Sequence, residues 1–362
     1  MNFVIVRELD ITEFRGIRKL AKPLKLSKFN VLIGRNNVGK TAILEALYLL
    51  TMPYRQSSVV PSSPLPPYDS YPIEFIAKTH DGIPSLIYGY AGTATLKYYL
   101  KEKIKTEFKT PRLPVVETTP KEMEVDNIEI RITTEDIKVL LNGKEVNKNN
   151  YEDFLNSLGI NSGRGILSLY IPNNSDAYKA LDSFVLRDEV WSWIEKEGLH
   201  RKVIKEVLEP TIYDKLTEVI IKRDKLCARK EVSENIGPLY INIDSLGEGI
   251  KRAILIYLAV EHLKPKILIW DDIEVAAHPS LIEHTLKWLA RSKRQIIVST
   301  HSIDVLYILT QVRPKDCKII TLKKSPDDIV NYKILALDEL EDYLESSIDV
   351  RKIIEDLNYE SG

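Results

Sequence analysis

The chain has 362 residues, 44% hydrophobic and 28% charged, which are the proportions of a globular protein of two or three packed units rather than a disordered one. Lys plus Arg number 51 and Asp plus Glu 52, and this near-cancellation, with a formal net charge of −1, excludes holding nucleic acid or membrane by bulk charge. The 2 cysteines, Cys227 and Cys317, have no CxxC partner, which excludes a disulfide framework and a four-cysteine zinc site.

The chain begins Met1-Asn-Phe-Val-Ile-Val-Arg-Glu, without a basic n-region or cleavage site, and no apolar run approaches the roughly 20 residues of a membrane span. A cytoplasmic chain without membrane contact is expected. Leu9 to Phe14 alternates and Asn30-Val-Leu-Ile33 is a short buried-type run stopping at Gly34, so the first 35 residues read as strands. The period then changes: Ile43, Leu44, Ala46, Leu47, Leu49 and Leu50 fall at helical spacing between Lys40 and Pro53. From Thr51 to Pro72, six prolines and five serines predict a mobile surface loop. Thr95 to Leu100 and Ile128 to Ile132 alternate, and Asn142-Gly143 is a hairpin-turn signal. From about Tyr151 to Lys230 the pattern reads as helical and strongly charged. Strand signals return at Leu239, Ile267-Leu-Ile-Trp270, Gln295-Ile-Ile-Val-Ser299 and Cys317, with helical segments between the later ones. The two ends therefore alternate strand and helix, as in a sheet with helices on its faces. The absence of heptads sustained over several turns argues against a long coiled coil.

Gly34-Arg-Asn36-Asn37-Val38-Gly39-Lys40-Thr41 matches GxxxxGK[ST] between a buried strand and a helix. The glycines let the backbone turn inward, so that consecutive N–H groups from Gly34 to Thr41 face an anion at a helix N-terminus. Lys40 reaches the β- and γ-phosphates of a nucleoside triphosphate and Thr41 offers its hydroxyl to Mg²⁺. Asp271, delivered at the end of an apolar strand, is the second Mg²⁺ residue, and Asp272 is the candidate for polarising the attacking water. Past a third apolar strand, Thr300-His301-Ser302 offers a histidine that can bond the γ-phosphate or that water.

Together these pieces resemble the ABC-type ATPase heads of the SMC, RecF and OLD proteins, often labelled AAA-like ATP-binding domains. Ile11-Thr-Glu-Phe-Arg15-Gly-Ile17 is similar to the strand that opens such heads, Asp244-Ser245-Leu-Gly247-Glu248-Gly249 to their signature motif, Asp271 to Pro279 to their Walker B and D-loop run, and His301 to their switch histidine. The resemblance implies an α/β P-loop head with a mixed sheet flanked by helices, its core formed by residues 1–51 and 236–362. An inserted lobe at 52–235 would hold a Pro/Ser-rich loop (52–72), a mainly β part (73–150) and a mainly helical part (151–235). It also implies ATP and Mg²⁺ as cofactors and a homodimer that closes on ATP. Arg15 would then reach the phosphates in cis, while Ser245, Gly247, Glu248 and Gly249 would cap the γ-phosphate in trans. The alternative for Ser245 is a helix N-cap with Glu248 completing a capping box, and for Arg15 an exposed strand position.

Two departures stand out. The family's catalytic Glu is Asp272 here, which draws the carboxylate back by about an ångström and predicts slow turnover, unless Glu274 or a shifted water compensates. Gln56, the sole glutamine between phosphate loop and signature, gains no role. Lys222, Arg223, Lys225, Arg229 and Lys230 form a basic cluster, either a solvated helix face or a DNA-backbone contact. The stretch after His301 is too short for the Toprim nuclease that follows OLD ATPases, so any cutting would belong to a separate effector protein. The expectation is an ATP-driven switch regulating DNA or a partner, in repair or antiviral defence. The alternative is a nucleotide-sensing scaffold with little hydrolysis, and a phosphotransferase fits the signature and histidine less well.

Overall fold

A computed structural model of the chain describes residues 4–56, 66–108, 121–160, 165–232 and 237–351. The chain opens with β1 (Val6–Phe14), β2 (Ile17–Leu20), β3 (Leu24–Lys25) and β4 (Phe29–Ile33), followed by α1 (Lys40–Leu49) and α2 (Pro72–Thr79). A meander of β5 (Ala94–Phe108), β6 (Lys121–Ile132), β7 (Ile137–Leu141) and β8 (Lys144–Val146) leads into α3 (Lys148–Ser157), β9 (Ser168–Ile171), α4 (Ser175–Val185), α5 (Asp188–Lys196) and α6 (Leu199–Val203). Three short strands follow, β10 (Leu216–Lys222), β11 (Lys225–Lys230) and β12 (Leu239–Asn242). Alternation then resumes with α7 (Glu248–Leu263), β13 (Ile267–Trp270), α8 (Pro279–Arg291), β14 (Gln295–Ser299), α9 (Ile303–Val312), β15 (Cys317–Lys324), β16 (Ile329–Leu335) and α10 (Leu337–Glu345).

Among the described residues, β1–β9 and β13–β16 form one 13-stranded mixed sheet. Its order is β8-β7-β6-β5-β1-β2-β16-β15-β4-β14-β13-β9, with β3 pairing β1. From β9 to β15 neighbouring strands are parallel. These strands are mostly apolar and buried on both faces: β4, β9, β13 and β14 are buried at every position, as a sheet covered by helices on both sides requires, with Asn30, Ser168, Gln295 and Ser299 as buried polar members. The other half, from β1 to β8, is an antiparallel meander, and β5 shows over its first seven residues the alternating burial of a sheet with one wetter face. Both β5–β8 and β9, which fall in the stretch expected to form the insertion, pair into this sheet. The Asn142-Gly143 hairpin has φ of 47° and 75°, both left-handed as a type I′ turn demands.

The 151–230 stretch departs from its helical reading. It contains β9, and β10–β11 form a hairpin in a separate three-stranded antiparallel sheet with β12. Leu216–Lys222 is a strand through its pairing with β11, with Leu216 and Val219 buried and the residues between and beside them half-buried, and Arg223 and Asp224 take the two left-handed turn positions. The centre of the Pro/Ser-rich stretch lies outside the described residues. Its end is anchored rather than free, since Tyr68 and Tyr71 are buried and the Tyr68 hydroxyl donates to the Tyr170 carbonyl at 2.5 Å. Helix α1 buries nine of its ten residues, packing on β9, β13 and β14, and each fully buried Leu or Ile there stabilises the layer by about 1.5–3 kcal/mol. Among the described residues no helix is long and apolar enough to cross a membrane.

Candidate nucleotide site

The site lies at the carboxyl ends of the parallel strands, where β4 has β14 on one side and β15 on the other. The turn from β4 into α1 is wedged. Gly34 has φ 149° and a Cβ there would stand 2.7 Å from the Leu322 carbonyl oxygen, while one at Gly39 (φ 103°) would stand 2.9 Å from Ile17 Cδ1. Glycine is therefore required at Gly34 by backbone conformation and by space, and at Gly39 by backbone conformation, the Ile17 methyl being able to shift. Val38 turns its side chain into the core, leaving its backbone to the loop. Lys40, buried, donates from Nζ to the Gly34 and Arg35 carbonyls at 2.9 and 3.0 Å. An ammonium has three donors, so one remains for a phosphate oxygen. Burial lowers the Lys40 pKa, and the nearby Asp272, Asp271 and Glu274 carboxylates oppose that shift.

Two acids end β13. The Thr41 hydroxyl donates to Asp271 Oδ2 at 2.8 Å and the Ser299 hydroxyl to Oδ1 at 2.5 Å, with the Tyr170 hydroxyl 3.4 Å from Oδ2. Burial raises the Asp271 pKa, the Ser299 bond lowers it, and Asp272 adds to the rise. A buried carboxylate and a hydroxyl that already meet are a hard-oxygen donor pair suited to Mg²⁺. Asp272 sits at φ 50°, a left-handed position that aspartate tolerates, with its N–H donating to Ser299 Oγ at 2.8 Å. Its carboxylate meets Asn173 Nδ2 at 3.3 Å, Ser299 Oγ at 3.4 Å and His301 Nε2 at 3.8 Å. Asp272 and His301 thus face each other across one wall of a cavity of about 390 Å³, which Arg15, Asn36, Asn37, Gly39, Lys40 and Thr41 also line.

Arg15 corrects its exposed-strand alternative. It occupies the tight turn between β1 and β2 at φ 55°, with its side chain only 18% exposed and Nε 3.4 Å from Glu45 Oε2. Glu274 does not supply the missing methylene of Asp272. Its Oε1 accepts the His301 N–H at 2.7 Å, and it does not line the cavity.

The signature residues lie apart from this cavity in their own chain. Ser245 closes a short 3₁₀ turn and Gly247 (φ 93°) is the N-cap of α7 with no side-chain capping bond, so the capping-box alternative fails. Ser245, Gly247 and Glu248 are exposed. Gly249 packs in cis: a Cβ there would fall 2.2 Å from the Ala276 carbonyl oxygen, so α7 meets the segment after β13 backbone to backbone. The basic cluster sits on the β10–β11 hairpin, not on a helix. Arg229 pairs with Glu231 at 2.6 Å and Lys230 with Asp214, while Lys222, Arg223 and Lys225 surround the tip, with Lys222 Nζ 4.0 Å from the Tyr240 ring centre.

Several contributors carry no motif. Glu45 on α1, almost fully buried, accepts a hydrogen bond from His80 Nε2 at 2.7 Å. With Asn173, Asn174 and Tyr170 these two line a second cavity of about 310 Å³ on the Thr41–Asp271 side. The signal available for Asn173 was the short apolar run Ser168-Leu-Tyr-Ile171 ending at Pro172-Asn173-Asn174, a strand followed by a stop.

Fold and site together define an ATP-binding P-loop ATPase head of the ABC type. Two solved structures share the fold at 14% identity: an SMC head bound to the C-winged helix domain of ScpA (TM-score 0.59, covering 94% of this chain and 100% of that one) and a Pyrococcus furiosus SMC head with an extended coiled coil (TM-score 0.55, 95% and 99%). The chain belongs to the AAA domain family described as "putative AbiEii toxin, Type IV TA system", whose model matches residues 29–309. An uncharacterized protein of Methanocaldococcus jannaschii is 28% identical over 93 residues, 24% of this chain and 82% of that protein.

Proposed function

We propose that the chain is a Mg²⁺-dependent ATP switch: ATP closes two heads face to face, slow hydrolysis reopens them, and closure regulates DNA or a partner effector. The observation that carries the reading is the convergence of Thr41 and Asp271, meeting at 2.8 Å, with Asp272 and His301 beside the Lys40 loop. Bound Mg²⁺ would screen the phosphate charge, and Thr41 and Asp271 are the residues to hold it. Lys40 and the loop amides bind the β- and γ-phosphates. Asp272 orients and deprotonates a water, and His301 bonds the γ-phosphate. Arg15 exchanges Glu45 for a phosphate oxygen. Ser245, Gly247 and Glu248, exposed and away from their own cavity, support capping in trans, whereas Gly249 supports that surface by packing under it.

The short carboxylate of Asp272, tethered to Asn173 and Ser299, supports slow turnover. It equally favours the second reading, a nucleotide-sensing scaffold that scarcely hydrolyses ATP. The family description supports a defence role, and the winged-helix partner of one SMC head supports a protein effector. A DNA contact would fall to Lys222, Arg223 and Lys225 at the hairpin tip, since Arg229 and Lys230 are engaged within the chain. Binding of ATP and release of phosphate, measured for wild type and Lys40→Ala, test the core of this function. The variant should lose both, and wild-type protein that binds no ATP would end the reading.

A further inference from the structure

The backbone of His301 is held on both sides of its Cα by charged groups. Its N–H donates to Glu274 Oε1 at 2.7 Å, and its carbonyl accepts Arg351 Nη1 at 2.8 Å. Arg351 arrives from the segment after α10, 50 residues later in the chain. Its guanidinium is fixed beforehand: Nε and Nη2 donate to Asp349 Oδ1 and Oδ2 at 2.8 and 2.9 Å, a two-pronged pairing that leaves Nη1 for His301. The segment itself is anchored. Val350 is fully buried, and the Tyr307 hydroxyl on α9 donates to the Leu344 carbonyl at the end of α10 at 3.3 Å. Helix α9 starts immediately after His301, with Ser302 as its N-cap. The α10 segment therefore straps back across the turn that carries the histidine.

The His301 side chain is 39% exposed and stands 3.8 Å from Asp272, beyond hydrogen-bond range, so the aim of the ring follows the peptide that carries it. We propose that Arg351, locked by Asp349, is a positioning residue that fixes the direction of His301 toward the reacting phosphate. This rests on the reading of His301 as the γ-phosphate ligand. Charge-assisted bonds to the peptide groups on either side of the His301 Cα hold that residue more tightly than neutral bonds would. Losing one frees the turn by a fraction of an ångström to an ångström, the range in which misplacement costs tenfold to on the order of a hundredfold in rate.

The test uses the full chain carrying Arg351→Ala, Arg351→Lys and Asp349→Asn, alone and with His301→Ala. Arg351→Ala should lower kcat about tenfold with KM for Mg·ATP within about twofold. Lys, which keeps the charge but not the planar fork that pairs with Asp349 and His301 at once, should recover part of that loss. On the His301→Ala background Arg351→Ala should cost nothing further. A second readout needs no turnover: in proton–carbon NMR the His301 ring signal, identified by its loss in His301→Ala, should move in Arg351→Ala while the other histidines stay put. An unmoved ring signal, an unchanged kcat, or a loss that adds in full to His301→Ala overturns the proposal. If wild-type protein releases no phosphate the hydrolysis reading fails instead, and the ring signal alone decides on Arg351. Should the alanine variant fail to fold, Arg351→Lys and Asp349→Asn carry the same comparison.

Discussion

Asp272→Glu is the most telling substitution in the site. One added methylene extends the side chain by about 1.5 Å along a bond, of which about 1 Å projects toward the cavity. Misplacement by an ångström is a hundredfold effect at the upper end, and the tethers at Asn173 (3.3 Å) and Ser299 (3.4 Å) are long enough to yield. Phosphate release at saturating Mg·ATP should therefore rise by between about tenfold and a hundredfold. The change carries a stability cost. Position 272 has φ 50°, where glutamate lacks the local hydrogen bonding that lets aspartate sit there, so about 1 kcal/mol should be lost in a urea titration. Asp272→Asn keeps the shape and tolerates the backbone but cannot take a proton, and should fall below wild type. A glutamate variant that binds ATP normally and releases phosphate no faster than wild type would refute the geometric account of slow turnover.

Asp271→Asn should abolish Mg²⁺-supported phosphate release while stabilising the nucleotide-free protein, because it removes a buried charge. The sign follows from the raised pKa of Asp271: its stabilising share is full below the ordinary value of 3.8 and is lost as pH rises from there through the folded-state pKa. The stability gap between Asp271→Asn and wild type should therefore widen over that interval and then stay level, and a gap that shrinks with rising pH would contradict it. Gly249→Ala pushes a methyl group to within 2.2 Å of a backbone carbonyl and should destabilise by about 1–3 kcal/mol in chemical denaturation, with no change meaning that α7 does not meet this segment as described. Charge reversal at Lys222 and Arg223 should weaken DNA binding across sequences alike and flatten its salt dependence, and binding indifferent to salt would remove DNA from the account.

The chemistry that sits at strand ends was legible because each piece is contiguous: a glycine loop after β4, two acids after β13 and a histidine after β14 each occupy a few neighbouring positions. The parallel half of the sheet was legible for the same reason, through its uninterrupted apolar runs. Residues that reach the site across the fold were not. Glu45 is one acid within the otherwise apolar run of α1 and has no motif of its own, His80 and Arg351 meet their partners 35 and 50 residues away, and no spacing rule connects them. The β10–β11 hairpin was missed because its Lys and Arg residues dominate the pattern. Its turn, Arg223-Asp224, also lacks the glycine that marks such turns, and the left-handed conformation is carried by non-glycine residues instead. Strand β9 has only four residues, too few for periodicity to separate strand from helix, and its identity is set by pairing with β13.

The central claim is that ATP brings two of these heads together through their exposed signature surfaces. Light scattering on the protein with and without Mg·ATP, with phosphate followed in the same samples, tests it most directly. The account predicts a molar mass that doubles with Mg·ATP, no doubling for Lys40→Ala or for Ser245→Arg, and phosphate that appears slowly. ATP binding with an unchanged mass and no phosphate would contradict it and leave a nucleotide-sensing scaffold in its place.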